Sequence, residues 1–330
     1  MFDGKKKITD RFGRKFEKLR VSLINECNFA CTYCVNEDPE KKDHFREPAT
    51  MGSGQTRLNT DEFIQSIALV HEVLELKSIR LTGGEPLLYP DLENIIRKIK
   101  VLGINDIRLT TNAYYLKTKA ASLKAAGLQA INISLDAVDE EVFLEMSGNS
   151  RMQRVLDGID AALEAGLSVK LNAVIMKGKN ENQILPLLEY AGKKGIVIRY
   201  LELMKMGHLY NNMDGSFFSQ QEILDLIQTK YPIAEIERKK SATSNYWEAK
   251  GAGTFGIIAN ESVPFCGDCN RLRMDSYGNF YGCISSNVGI PLLKKSGDRN
   301  EVIDSLKRLM SYKQSHHFKG NEMTMRYIGG

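Results

Sequence analysis

From residue 18 to about 205, short β-branched runs alternate with longer amphipathic ones, the pattern of repeated strand–helix units. The apolar runs predict strands at 19–24, 78–82, 106–111, 130–135, 168–176 and 197–204. Spacing that buries one helical face predicts helices at 60–76, 90–102, 116–126, 152–165 and 183–193, the first capped at Asn59-Thr60. Gly103, Gly127, Gly166 and Gly195 stand where four of these should stop, since glycine adopts the helix-ending left-handed conformation without a Cβ penalty. Strand, helix and strand in repetition imply a parallel sheet with right-handed crossovers, either an open barrel or a doubly wound sheet.

Polar and glycine residues gather just after the strands, in Asn25-Glu26-Cys27, Gly83-Gly84-Glu85, Thr111-Asn112 and Asp136. In α/β barrels that C-terminal rim carries the chemistry. One connection breaks the rhythm: residues 35–57, rich in charge, Pro and Gly, are too many for a strand-to-helix loop and suggest a lid. Beyond Phe217 the alternation fades. A second unit is expected to begin near Glu235, with a helix at 300–310 and a Gly329-Gly330 tail. The expected division is 1–234 for the strand–helix domain and 235–330 for the C-terminal domain.

A length of 330 residues leaves room for about two domains. With 42% hydrophobic and 26% charged residues the composition is globular and excludes a fibre or a disordered chain. A net charge of +4 is too small to demand a nucleic acid or an anionic membrane, so an anion site must be a local cluster of cations. No aromatic–basic stripe marks a nucleic-acid surface. The basic N-terminus has no apolar stretch behind it, and the longest apolar runs, 167–176 and 196–204, fall short of the ~20 residues a bilayer needs. A cytoplasmic protein without a membrane partner is expected.

The cysteines change the picture. All six lie in two groups, Cys27, Cys31 and Cys34, then Cys266, Cys269 and Cys283. Each group is odd, so pairing within it strands a thiol, and a chain with a full core has no need of disulfides. Metal is the better reading. CNFACTYC sets three thiols just after the first strand, whereas structural zinc wants four protein ligands. A four-iron cluster can use three thiolates and leave one iron open for an exchangeable ligand. Zinc completed by a distant histidine such as His44 is the alternative.

The second group, CGDC, is followed by SYGNFYG, which reads as a hairpin turn that returns Cys283 beside the pair as a second three-thiol set. Arg271 and Arg273, on alternate residues of that segment, share one face of an extended chain. With Arg20, Arg80, Lys170 and Arg199 at strand positions, they outline an anion pocket suited to phosphate oxygens.

The C-x3-C-x2-C spacing with Tyr33 before its last cysteine, followed by LTGGEPLL on the second strand, resembles the radical S-adenosylmethionine superfamily. The resemblance implies that Cys27, Cys31 and Cys34 hold a 4Fe-4S cluster whose open iron chelates S-adenosyl-L-methionine. Reductive cleavage of the sulfonium then gives a 5′-deoxyadenosyl radical. It also implies cofactor contacts at Tyr33, Gly84, Glu85, Ser134 and Met204. Glycines in a tight turn and a methionine at a strand end have ordinary structural uses as well.

The C-x2-C-x13-C spacing enclosing NRLR, the strand RYLELM, the segment MKGKNENQI and the terminal MRYIGG resemble the GTP 3′,8-cyclase (MoaA) family of molybdenum cofactor biosynthesis. The likeness begins at TDRFGR. It implies an α/β fold, a partial (β/α)6 TIM-like barrel closed by a C-terminal domain with a second 4Fe-4S cluster on Cys266, Cys269 and Cys283. It implies conversion of GTP to (8S)-3′,8-cyclo-7,8-dihydroguanosine 5′-triphosphate: the radical takes the ribose 3′ hydrogen and the carbon radical attacks C8. Substrate contacts would come from Arg20, Arg80, Thr111, Lys170, Arg199, Arg271, Leu272 and Arg273, and the second cluster would bind the purine edge. The Gly329-Gly330 tail would reach into the site. An electron donor of unknown identity, a downstream pterin synthase and a homodimer are the partners this reading allows.

Departures from the family pattern matter too. Its arginines before the first two cysteines are here Glu26 and Ala30, its Met-Pro after the third is Val35-Asn36, and its Gly after TTN is Ala113. A frequent Lys two residues before the arginine of the RLTGGEP strand is Ser78. Ser78 and Glu26 lower the positive charge expected near the phosphates, so a two-cluster paralogue acting on another nucleotide or a small metabolite is the second reading. A third, a non-catalytic zinc or iron–sulfur scaffold, predicts no cofactor cleavage.

Overall fold

The computed structural model describes residues 8–35, 56–213, 215–293 and 299–329. Most of the expected lid, residues 36–55, lies outside them, as do His44 and Gly330.

The strand–helix repeat opens with β1 (Lys18–Ser22), α1 (Thr60–Leu74), β2 (Ser78–Thr82), α2 (Leu92–Val101), β3 (Asp106–Thr111), α3 (Leu116–Ala126) and β4 (Ala130–Ser134). It continues through α4 (Glu140–Ser147), α5 (Met152–Glu164), β5 (Ser168–Ile175), α6 (Ile184–Lys193) and β6 (Val197–Glu202). After α7 (Gln220–Gln228) come β7 (Ile233–Ile236), β8 (Asn245–Ala249), β9 (Gly253–Ile258), β10 (Arg271–Met274), β11 (Asn279–Tyr281) and β12 (Ile290–Pro291). The helices α8 (Arg299–Ser311) and α9 (Met325–Ile328) end the described chain.

All these strands form one sheet in the order β12-β11-β10-β1-β2-β3-β4-β5-β6-β9-β8-β7. The six expected strands run parallel as neighbours in chain order, which is the (β/α)6 partial barrel. The C-terminal residues build on both of its edges: β10 pairs parallel with β1, and β9 parallel with β6. Outside these, β11 and β12 on one side and β8 and β7 on the other are antiparallel, which is why the strand–helix rhythm fades in the sequence.

Alternation along the strands sorts side chains between two faces. On β1, Leu19 and Val21 enter the hydrophobic core under the helices while Lys18 and Arg20 face the barrel interior. On β3, Ile107 and Leu109 are core, and Asp106, Arg108 and Thr110 face inward. The interior is therefore polar, and the helix layer carries the core.

Asn59 caps α1, accepting from the main-chain N–H groups of Asp61 and Glu62 while Glu62 accepts from Asn59 N, a reciprocal capping box. That helix stops at Leu74 on a left-handed Glu75 rather than on a glycine. Three helices, α4, α7 and the short α9, were not expected. In α4 the Asp139 side chain caps the first turn, and α7 carries a Ser219/Glu222 capping box whose S-x-x-E signal is present in the sequence. No helix among the described residues is long and apolar enough to cross a membrane.

Candidate active site

Cys27, Cys31 and Cys34 follow β1 and all line one cavity of about 900 Å³ inside the barrel. Their loop is held from the side by the unexpected α4: Ala30 N donates to Ser147 O at 2.9 Å and Thr32 N to Met146 O at 3.0 Å. Burial raises all three thiols, Cys31 strongly and Cys34 up to about 12, so without a metal partner they stay protonated at neutral pH. Phe29 N donates to Cys27 Sγ at 3.4 Å and Asn112 Nδ2 donates to it at 3.8 Å.

The glycine pair after β2 is explained by crowding. A Cβ at Gly84 would lie 2.1 Å from Glu26 O and 2.5 Å from Asn25 O, and one at Gly83 would lie 2.4 Å from Ile24 O. The turn must pass against the main chain that leads into the cysteine loop, and Glu85 N donates to Glu26 O at 2.8 Å to hold it there. Glu85 is buried and accepts from Thr111 Oγ1 at 2.5 Å, Asn112 N at 2.8 Å and Leu87 N at 3.0 Å. Burial outweighs these donors and pushes its carboxyl up to about 7.

On the opposite rim Tyr33 donates to Asp136 Oδ2 at 2.9 Å, and Asp136 also accepts from Val174 N at 2.8 Å. Burial raises Asp136 to about 6. Ser134 and Met204 line the same cavity, and Asn260 Nδ2 donates to Met204 Sδ at 3.0 Å.

The same cavity is lined by a field of cations. Strand register sets Arg273, Arg20, Arg80 and Arg108 side by side on β10, β1, β2 and β3. Lys170 and Arg199 project from β5 and β6, and Lys18 and Arg271 lie one pleat below Arg20 and Arg273. Burial, then repulsion from neighbouring guanidinium groups, lowers Arg80 to about 9 and Arg273 to about 10 and holds Arg20 well below its ordinary value. Guanidinium groups nonetheless stay charged at neutral pH, so the cavity carries positive potential that an anion would relieve. Among the described residues the buried Arg199 Nε has no hydrogen-bond partner, while its Nη2 donates to Asn172 Oδ1 at 2.5 Å.

The second cysteine group closes this end. The hairpin of β10 and β11 turns as expected, and Cys266, Cys269 and Cys283 line the cavity. Lys313 Nζ donates to Cys269 Sγ at 3.0 Å and Arg271 Nη2 at 3.3 Å. Burial pushes this thiol up, but the Arg271 and Lys313 cations bring it well below its ordinary value. Cys266 has no such excess of cations and is raised by burial to about 11.

Two expected contacts are placed differently. The Leu272 side chain, on the other face of β10 from Arg271 and Arg273, is fully buried in the hydrophobic core and does not line the cavity. Thr111 does line it, but its hydroxyl is committed to Glu85 as donor and to Ala113 N as acceptor. The tail docks at the rim: Arg273 Nη1 donates to Ile328 O at 3.0 Å and also to Gly329 O.

Of the two positions expected to lower the positive charge near the phosphates, only Ser78 borders the cavity. Glu26 pairs with Arg57 at 2.5 Å and is not part of the cavity wall. Ser78 does line the wall, flanked in register by Lys18 and Asp106, and Arg108 above it pairs with Asp106 at 2.7 Å. Lys18 and Arg108 were missed in the sequence although period-two alternation on KLR and DIRLT places them inward with Arg20 and Thr110. Arg326, which lines the cavity and donates through Nε to Asn25 O at 3.2 Å, and Lys313 had no comparable local signal.

Comparison with known proteins decides the family. The chain matches the radical SAM superfamily over residues 21–191 and the molybdenum cofactor synthesis C family over residues 196–319. It is 35% identical to a GTP 3′,8-cyclase of Staphylococcus saprophyticus over 98% of this chain and 99% of that one, and 36% identical to a GTP 3′,8-cyclase of Staphylococcus aureus with the same coverage. The chain belongs to the radical SAM superfamily and, within it, to the GTP 3′,8-cyclase family. Its fold is also that of Streptococcus suis SuiB, crystallised with S-adenosylmethionine, at a TM-score of 0.60 and 16% identity over 86% of this chain and 64% of that chain.

The residues fit the radical SAM cofactors. Among the described residues no three His, Cys, Asp or Glu side chains converge as ligands of a single ion do. Two sets of three thiols around one cavity instead suit polynuclear clusters, in which each thiolate binds a separate iron. Cys27, Cys31 and Cys34 would hold one 4Fe-4S cluster, and Cys266, Cys269 and Cys283 the other.

Proposed function

We propose that the protein converts GTP to (8S)-3′,8-cyclo-7,8-dihydroguanosine 5′-triphosphate, the GTP 3′,8-cyclase reaction of molybdenum cofactor biosynthesis. The observation that carries this reading is one cavity lined both by two three-cysteine groups and by a bank of cations. When bound, the first cluster and S-adenosylmethionine supply a hydrogen-abstracting 5′-deoxyadenosyl radical.

The chain's own residues bind and orient. Arg20, Arg80, Lys170, Arg199, Arg271 and Arg273 take the triphosphate and ribose, with Lys18 adding charge. Cys266, Cys269 and Cys283 would hold the second cluster, which when bound would offer an open iron to the purine edge. Tyr33, Gly84, Glu85, Ser134 and Met204, which line the cavity, would contact S-adenosylmethionine when it is bound, and α9 docks against the β1–β2 rim. Residues 1–234 act as the barrel and 235–330 as the substrate-closing part, since the second thiol set and the tail come from the latter. A cytoplasmic location, a separate electron donor, a pterin-forming enzyme that takes the product, and a homodimer complete the reading.

The test is anaerobic. Protein reconstituted with iron and sulfide is given S-adenosylmethionine and dithionite with and without GTP, and products are identified by mass spectrometry. Deoxyadenosine together with a cyclic isomer of GTP is the expected outcome. Deoxyadenosine with untouched GTP would overturn the substrate and leave the first cluster standing.

A further inference from the structure

The cavity has a wall that the six barrel strands do not supply: the turn between β7 and β8. Lys239 and Lys240 on this turn line the same cavity as Lys18, Arg80, Arg108 and Arg271. The turn is strained, with Ser241 at φ 61° in the left-handed region where a residue with a Cβ is held only by its surroundings.

What holds it is one carboxylate. Asp268 accepts from Arg238 Nη1 and Nη2, each at 2.9 Å, and from Ser241 N at 2.8 Å. Arg238 Nη2 also donates to Ala242 O at 2.6 Å, so a two-pronged guanidinium–carboxylate pair closes the base of the turn. Both partners are largely shielded, their side chains 29% and 24% exposed, unlike the solvated surface pairs that contribute little. Asp268 stands between Cys266 and Cys269, in the segment that lines the cavity beside the second thiol set.

We propose that Arg238 and Asp268 are positioning residues: they latch the 237–244 turn to the second cysteine hairpin and aim Lys239 and Lys240 at the terminal phosphate of a nucleoside triphosphate. The cavity thereby selects triphosphate over diphosphate. This rests on the cyclase reading for the identity of the nucleotide, but the latch and its polyanion preference do not need guanine. Arg238 touches no phosphate itself. It acts by fixing the main chain that carries the two lysines, and ordering that turn before binding lowers the cost of ordering it during binding.

The test uses the cluster-loaded enzyme, titrated calorimetrically with GTP, GDP and inorganic tripolyphosphate. Arg238→Gln is expected to weaken GTP and tripolyphosphate by about tenfold, the size of one charge-assisted hydrogen bond lost, while GDP changes little. Lys239→Gln with Lys240→Gln should give the same selective loss. Hydrogen exchange over 237–244 should quicken in Arg238→Gln with iron content unchanged, and the GTP KM should rise with kcat nearly preserved, a split that general destabilisation would not give. Asp268→Glu, which keeps the carboxylate, should retain part of the preference that Asp268→Ala loses.

If GTP and tripolyphosphate bind Arg238→Gln as they bind wild type, the latch is overturned while the cyclase reading stands. If wild type ignores GTP but binds tripolyphosphate in an Arg238-dependent way, the latch stands and the cyclase reading falls. If wild type binds neither, both fall.

Discussion

The Arg273 guanidinium donates to the main-chain carbonyl of Ile328 at 3.0 Å, tying β10 to the last described helix. The same group reaches Gly329 O, so a cavity arginine and the tail share one hydrogen-bonded joint. Gly329 sits at φ 73°, and a Cβ there would lie 2.4 Å from Thr82 Cγ2. Gly329→Ala should therefore expel α9 from the rim. Cyclic product formation is expected to fall about a hundredfold, as for a misplaced reactant contact, while deoxyadenosine still forms. Undiminished product by mass spectrometry would show that the joint is dispensable.

Leu272 separates stability from binding. Its side chain is fully buried in the core, back to back with two cavity arginines. Leu272→Ala should cost about 2–5 kcal/mol in urea unfolding through the cavity it leaves. GTP affinity in calorimetry should match wild type at a temperature where the variant is folded. A selective loss of GTP binding at wild-type stability would instead return Leu272 to the substrate contacts.

The barrel was legible because its signals are local. Strands 78–82 and 106–111 and the helix at 116–126 fall on the observed bounds, set by period-two and helical apolar spacing with a glycine at the stop. The cysteine groups and most inward cations were legible for the same reason, since alternation fixes a face. What escaped depends on distant chain. α4 is only eight residues long and offers too short a window for a helical period, yet its end holds the cysteine loop through Ser147 O and Met146 O. Lys313 and Arg326 reach the cavity from outside the strands, where no periodicity marks a direction. Leu272 was drawn in with its arginine neighbours although alternation on NRLR already sends it to the opposite face.

Glu85 gives a pH signature. Burial disfavours its charge and pushes its carboxyl up to about 7 in the fold, against an ordinary value of 4.5. Between those values the folded state holds the extra proton. The stabilisation is complete below pH 4.5 and is lost as pH rises through 7, by up to about 3 kcal/mol. In urea unfolding of the cluster-free protein, the advantage of wild type over Glu85→Gln should shrink from pH 5 to pH 8. A constant difference across that range would mean that the donors from Thr111, Asn112 and Leu87 keep Glu85 ionised throughout.

Lys313 bears on the second cluster. Buried at 5% exposure, its ammonium donates to Cys269 Sγ at 3.0 Å and to Arg271 O at 2.9 Å, with Arg271 Nη2 a second donor to the same sulfur. Positive charge and hydrogen bonds on a ligating sulfur favour the more negative, reduced cluster and so raise its potential. Lys313→Met should lower the midpoint of the second cluster by tens of millivolts, and Lys313→Arg should recover most of it. Replacing Cys27, Cys31 and Cys34 by Ala isolates the second cluster, whose reduction is followed by electron paramagnetic resonance during a potentiometric titration. An unchanged midpoint in Lys313→Met would leave the lysine only its bond to the Arg271 carbonyl, a brace for β10 with no hold on the electron.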